Sequence, residues 1–131
     1  MRVERDDWTL DVGDTWSVAD EPECLTLEDG NRGALQFSSA TRKSGLVDGA
    51  EIRSVADRMN RGWGDPVAVA HGEFRGLLYR HADVDGIAWR RWFLGNGRTL
   101  LFVTYNASGR IAAEDERRID DILRTLRARP G

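Results

Sequence analysis

A chain of 131 residues, 40% apolar and 31% charged with five tryptophans, has the composition of one folded domain able to bury a core without disulfide or metal scaffolding. A net charge of −3 with Lys43 as the sole lysine argues against a nucleic-acid surface. Cys24 is the single cysteine, which excludes an intrachain disulfide and a cysteine zinc cage, and no apolar run has the length of a signal-peptide core or a membrane span, so a cytoplasmic protein is expected.

Trp8, Leu10 and Val12 alternate with Thr9 and Asp11, the period of a half-buried strand. Gly13-Asp14 offers a two-residue turn into Trp16 and Val18, so a first hairpin is expected there. After the turn Asp20-Glu21-Pro22-Glu23, Leu25 and Leu27 alternate again, with Cys24 read as a small inert residue opposite their face. Residues 28–33, including Asn31 and Arg32, read as a turn, residues 34–38 as a fourth short strand and residues 39–47 as a polar loop. Each of these strands has one apolar face to set against a core.

From Asp48 the period lengthens. Ile52, Val55, Ala56 and Met59 form one helical stripe, Asp48 with Glu51 is a capping pair, and Gly62 is placed to stop the helix. Residues 67–70 and 74–82 read as one long strand bent near Gly72, and residues 83–86 as a turn. Residues 87–105 hold two aromatic-rich runs joined at Gly95-Asn96-Gly97, the chemistry of a tight hairpin. Period two puts Ile87, Trp89, Arg91 and Phe93 on one face and Ala88, Arg90, Trp92 and Leu94 on the other. Both faces carry a large apolar group, so this is expected to be the most buried strand, covered on both sides. A last helix is predicted within residues 111–128, with Ile119, Ile122, Leu123 and Leu126 as its stripe. Glu114, Asp115 and Glu116 stand at its start, Arg124, Arg127 and Arg129 at its end, and Pro130-Gly131 finish it. Strands and helices in this order predict a single α+β domain, residues 1–131, with a mainly antiparallel sheet of about six to seven strands and helices packed on it.

The segments DTWSV at 14–18, GALQFSSA at 33–40, LLFVTYNAS at 100–108 and IDDILRTLR at 119–127 together resemble the Mog1/PsbP-like fold superfamily, over nearly the whole chain. The resemblance rests on hydrophobic pattern and turn placement. It implies a mostly non-enzymatic group of nuclear-transport and photosystem accessory proteins and small bacterial domains, among them accessory proteins of secretion systems and toxin loci. It carries over no functional residue.

Chemistry is sparse. His71 and His81 lie ten apart without neighbouring ligands, Asp83 and Asp85 lack the spacing of a calcium loop, and the glycine-rich stretches lack phosphate-cradling spacing. No catalytic, metal or cofactor-binding residue is therefore expected. Surfaces remain. The first 29 residues hold ten acids against Arg2 and Arg5, a local net of −8, leaving +5 for the rest. Asp20, Glu21, Glu23 and Glu28 are candidates to bind a basic protein partner, although acids paired with the basic half would look the same. Trp63, Arg75, Tyr79, Arg90 and Trp92 form a second candidate cluster of interface-type residues, with arginine stacked over tryptophan as its plainer reading. The expected function is a non-catalytic protein-binding domain without membrane or nucleic-acid contact, such as a bacterial immunity protein or a secretion-associated accessory factor. The alternatives are a small-ligand carrier with a pocket between sheet and helices, a homodimer, and an enzyme using His71 or His81.

Overall fold

In the computed structural model, which describes residues 1–30 and 33–129, the chain begins with β1 (Arg2–Glu4), β2 (Trp8–Asp11), β3 (Ser17–Asp20), β4 (Leu25–Glu28) and β5 (Gly33–Thr41). Helix α1 (Gly49–Met59) follows, then β6 (Val67–His71), β7 (Phe74–Ala82), β8 (Ile87–Asn96) and β9 (Thr99–Ser108), helix α2 (Ala113–Leu123) and β10 (Arg127–Ala128). The expected turn positions Asn31 and Arg32 and the expected stop at Pro130-Gly131 lie outside the described residues.

The fold is α+β, as the order of elements predicts. Seven strands make one antiparallel sheet in the order β3-β4-β5-β9-β8-β7-β6, and β1-β2-β10 make a small second sheet. The β8–β9 hairpin forms as its turn residues dictate, with Asn96 opposite Thr99 and Gly97 at φ +57 between them. Both sheet faces are covered. On one, Ile52 and Ala56 of α1 pack over Tyr79 and Phe93; on the other, Ile119, Ile122 and Leu123 of α2 join Trp8 and Leu10 of β2 over Leu78, Trp92, Leu94 and Val103. Asp48 caps α1 by accepting the Glu51 amide at 2.7 Å. No helix among the described residues is long and apolar enough to cross a membrane.

Several expectations are corrected, some by long-range pairing and some by local turns and caps. The strand at Trp8 does not pair with Val18. It pairs with β1, Val3 opposite Leu10, and with β10, Thr9 opposite Arg127, while β3 pairs with β4. Alternation fixes which face of a strand is buried but not which neighbour it bonds. The bent strand near Gly72 is instead the β6–β7 hairpin: Gly72, at φ +59, reverses the chain in a two-residue turn. β5 runs on through Ser39 to Thr41, because β9 offers it a partner over its whole length, ending at Thr41 opposite Thr99. β9 rather than β8 lies at the middle of the sheet, and it has five buried residues against four in β8. α1 stops at Met59, one turn before Gly62, because Asn60 turns its side-chain amide back to the Ala56 carbonyl at 2.7 Å. α2 lies within the expected range but stops at Leu123, leaving Leu126 and Arg127 outside the helix; there Thr125 donates its hydroxyl to the Ile122 carbonyl and accepts the Asp11 amide at 2.9 Å, releasing residues 127–128 to join β2. Cys24 sits in the turn before β4, its amide and carbonyl paired with Glu21, with its sulfur near Thr26.

Candidate functional site

The acidic first third converges at one place. The end of β1 and the bend after it carry Glu4, Asp6 and Asp7, and the end of β3 and the turn after it carry Asp20 and Glu21; these five residues line a cleft of about 540 Å³ between the small sheet and the edge of the large one. Arg5 braces it. Its guanidinium reaches Asp20 Oδ1 at 2.9 Å and donates to the Glu21 carbonyl at 2.8 Å and the Pro22 carbonyl at 3.4 Å. The bend is fastened from behind by Arg129, which donates its side chain to the Arg5 carbonyl at 2.7 Å and its amide to the Asp7 carbonyl at 2.9 Å. Thr41 at the end of β5 donates to the Asp7 carboxylate. Trp8, 2% exposed and stacked on Phe37 at 5.6 Å, also borders the cleft, and its indole N–H is buried without an acceptor among the described residues.

Of the four expected acids, Asp20 and Glu21 line this cleft. Glu23 is exposed at the tip of the β3–β4 turn, and Glu28 stands at the far end of β4, opposite Ser17. Glu4, Asp6 and Asp7 are the members that sequence reasoning left off the list, although it counted their charge; only the pairing of β2 with β1 and β10 brings their bend to β3. Some of the charge is compensated as the plainer reading holds. Asp29 is paired with Arg118 of α2 at 2.5 Å.

The second expected cluster is divided by the sheet. Tyr79 lies opposite Arg91 and Leu78 opposite Trp92, so Tyr79 faces α1 while Trp92 faces α2. Tyr79 is only 1% exposed; it donates to Asp57 at 2.9 Å, and its own burial together with that bond pushes the phenol up to about 12. Arg75 shares the face of Tyr79 but stands exposed at the other end of β7. Arg90, on the α2 face, is paired with Glu116 at 2.8 Å, and Trp92 is buried. Trp63 meets neither. It stacks on His81 at 4.5 Å and lies 4.1 Å below the guanidinium of Arg91, which also stands 5.3 Å from Trp89. Arg91, sharing the face of Trp89, is the arginine of that group, and the period-two pattern of β8 already placed it there. Trp89 in turn donates to Asp83 at 3.2 Å; the Ile87 amide first, and then this indole, hold the Asp83 carboxyl below its ordinary range.

His71 and His81 lie on opposite faces, His71 opposite Phe74 on the α2 side and His81 opposite Trp89 on the α1 side. Burial holds the His71 imidazole below its ordinary range, favouring the neutral ring. Between α2 and the sheet, the gap lined by Arg80, Arg90, Trp92, Glu116 and Asp120 measures about 50 Å³, well short of the ~300 Å³ or more of a small-molecule pocket. Among the described residues no group of three or more His, Cys, Asp or Glu converges to hold a metal ion.

No protein-family model matches the chain, and no curated protein matches it. Among solved structures it superposes on a protein of Bacteroides thetaiotaomicron VPI-5482, known from a crystal structure at 1.50 Å resolution, with a TM-score of 0.68 and 13% identity. The match covers 94% of this chain and 45% of that one, so this chain spans less than half of its length. At that identity the likeness is one of fold alone.

Proposed function

We propose that the domain is a non-catalytic protein-binding module, on a Mog1/PsbP-like scaffold in the cytoplasm, whose acidic cleft receives a basic segment of a partner protein. The observation that carries this reading is the convergence of Glu4, Asp6, Asp7, Asp20 and Glu21 from two sheets around a cleft braced by Arg5. A lysine or arginine side chain entering there meets Asp7 and Asp20 already held by Thr41 and Arg5, so little of the binding energy is spent on ordering those two. Single exposed ion pairs contribute only about 0–1 kcal/mol, but a cluster of one sign steers association and discriminates against acidic partners. A bacterial immunity protein or a secretion-associated accessory factor is the kind of small domain that works through such a surface. The separation of His71 from His81 favours this reading over a two-histidine enzyme.

The test is affinity capture from a lysate of the source cell with the parent chain, with the Asp6→Lys/Glu21→Lys variant, and with Glu28→Lys. The double variant spares the Arg5–Asp20 brace, and Glu28 lies outside the cleft. A stoichiometric partner that salt releases, that binds the double variant roughly tenfold or more weakly and that binds Glu28→Lys normally supports the proposal. A partner indifferent to the double reversal, or one held equally well at high salt, overturns it.

A further inference from the structure

Four strands lie at sheet edges among the described residues: β1 and β10 in the small sheet, β3 and β6 in the large one. Three of them carry charge, Arg2 and Glu4 on β1, Arg127 on β10 and Asp20 on β3. Charged side chains on an edge oppose its pairing with another chain. β6 is different: Val67-Ala68-Val69-Ala70-His71 holds no acid, lysine or arginine, in a chain that is 31% charged. Ala68 and Ala70 are exposed, and Val67 is 45% exposed.

The backbone of this edge has a definite register. Only Gly72 and Glu73 lie between His71 and Phe74, so that pair closes the hairpin as a hydrogen-bonded pair, and bonded pairs recur at every second residue. His71, Val69 and Val67 therefore bond to β7, which leaves the N–H and C=O groups of Ala68 and Ala70 directed away from the sheet. We propose that β6 pairs antiparallel with β6 of a second copy of this chain about a two-fold axis at Val69, joining the two seven-stranded sheets edge to edge.

In that register Ala68 of each copy faces Ala70 of the other, and the outward groups of both residues are satisfied together. Val69 meets its own copy on the α2 side, and the exposed Val67 is covered by His71 of the other chain. On the α1 side only the small alanines meet. A two-fold contact brings every residue of one edge against the same edge, so a charged strand would repel or desolvate itself while β6 does not. β6 itself has no charged side chain to recruit a charged peptide, the nearest charges being Arg75 on β7 opposite Ala70 and Asp65 and Glu73 beyond the strand ends, whereas a second copy brings a strand equally free of charge, which is the reason for naming it as the occupant. Just beyond the strand, Asp65 comes opposite Glu73 of the other copy, and both chains carry −3. Moderate salt therefore strengthens this contact, whereas it weakens the binding of a basic partner in the acidic cleft. A contact of five-residue strands falls at the small, weak end of protein interfaces.

Sedimentation equilibrium of the purified chain from about 10 µM to about 1 mM tests the pairing, with a Kd on the order of 10⁻⁴ M expected. The mass should rise from 14.7 kDa toward twice that value, more readily at moderate salt than at low salt. Ala68→Pro removes an N–H that makes no bond to β7, and proline is tolerated at such edge positions; self-association should weaken at least tenfold. Ala68→Lys, which keeps the backbone and adds charge, should do the same if proline disturbs folding, while Ala19→Lys on β3 should leave association unchanged. A chain that stays monomeric throughout, a dimer that persists in Ala68→Lys, or one lost in Ala19→Lys overturns the proposal.

Discussion

Arg118 is the cation on which a buried acid depends, and its removal should be among the costliest changes made at a partly exposed residue. The Asp29 side chain is 1% exposed; its Oδ2 lies 2.5 Å from the Arg118 guanidinium, and its Oδ1 is buried without a hydrogen-bond donor among the described residues. The same guanidinium donates to Thr15 at 3.1 Å and stands 5.0 Å over Trp16, so it ties α2 to both ends of the β3–β4 region. Breaking a fully buried pair by removing one partner costs about 3–5 kcal/mol. Arg118 is 31% exposed, so water replaces part of what it supplies, and about 2 kcal/mol is the discounted expectation for Arg118→Met. For a domain of this size that is a fall of roughly 6–10 °C in Tm. Asp29→Asn removes the charge and keeps the shape, at about 1 kcal/mol. In the double variant Asp29 is no longer an orphaned charge, while Asp115 still loses the Arg118 guanidinium 4.0 Å away, so the two costs should fall short of adding by about 1 kcal/mol. Guanidinium denaturation followed by tryptophan fluorescence and far-UV circular dichroism measures all four proteins. A cost under about 0.5 kcal/mol for Arg118→Met, or additivity of the single variants within about 0.3 kcal/mol, would refute the reasoning.

Tyr79 gives the fold an alkaline limit. With its folded pKa raised to about 12 against an ordinary phenol near ~10, the unfolded chain sheds the proton first, so the stability it contributes is complete below pH ~10 and is lost as pH rises toward 12. Tyr79→Phe should flatten that limb in a series of denaturation midpoints from pH ~9 to ~12, and identical slopes would count against it. Gly72→Ala combines a φ of +59 with a new Cβ 2.1 Å from the Leu126 carbonyl, and should cost about 2 kcal/mol or more. Gly86→Ala, at φ +79 with open space around it, should cost only about 1 kcal/mol; equal losses in Tm would show that the close approach at Gly72 does not matter. Asp48→Ala removes the cap of α1 and should cost about 1 kcal/mol, read from the same melting curves.

The acidic cleft was half legible. The charge of residues 1–29 and the membership of Asp20 and Glu21 follow from a count along the chain, but Glu4, Asp6 and Asp7 reach them only because β10, more than a hundred residues later, completes a second sheet around β2. The aromatic cluster was misassembled by one residue of register. Arg90 and Arg91 are equivalent in composition, and a shift of one position sends a side chain through the sheet, which is why Arg91 rather than Arg90 meets Trp63. Gly72 shows the same limit in the backbone, since a glycine between two apolar runs suits a bulge and a turn alike.

Local physics determined the elements. The two-residue period of Leu25, Leu27 and of β8, the helical stripe from Ile52 to Met59 with its Asp48 cap, and the glycine turn at Gly97 each depend on neighbours within a few residues, so they are written in the chain itself. The α+β class follows from their order. Tertiary structure alone decided which strand lies beside which, that β9 occupies the centre, that the end of the chain returns as β10, and that carboxylates from two sheets share one cleft. Those outcomes depend on hydrogen bonds and apolar contacts between distant segments, and any strand of matching period satisfies the local pattern equally well until the whole core is packed.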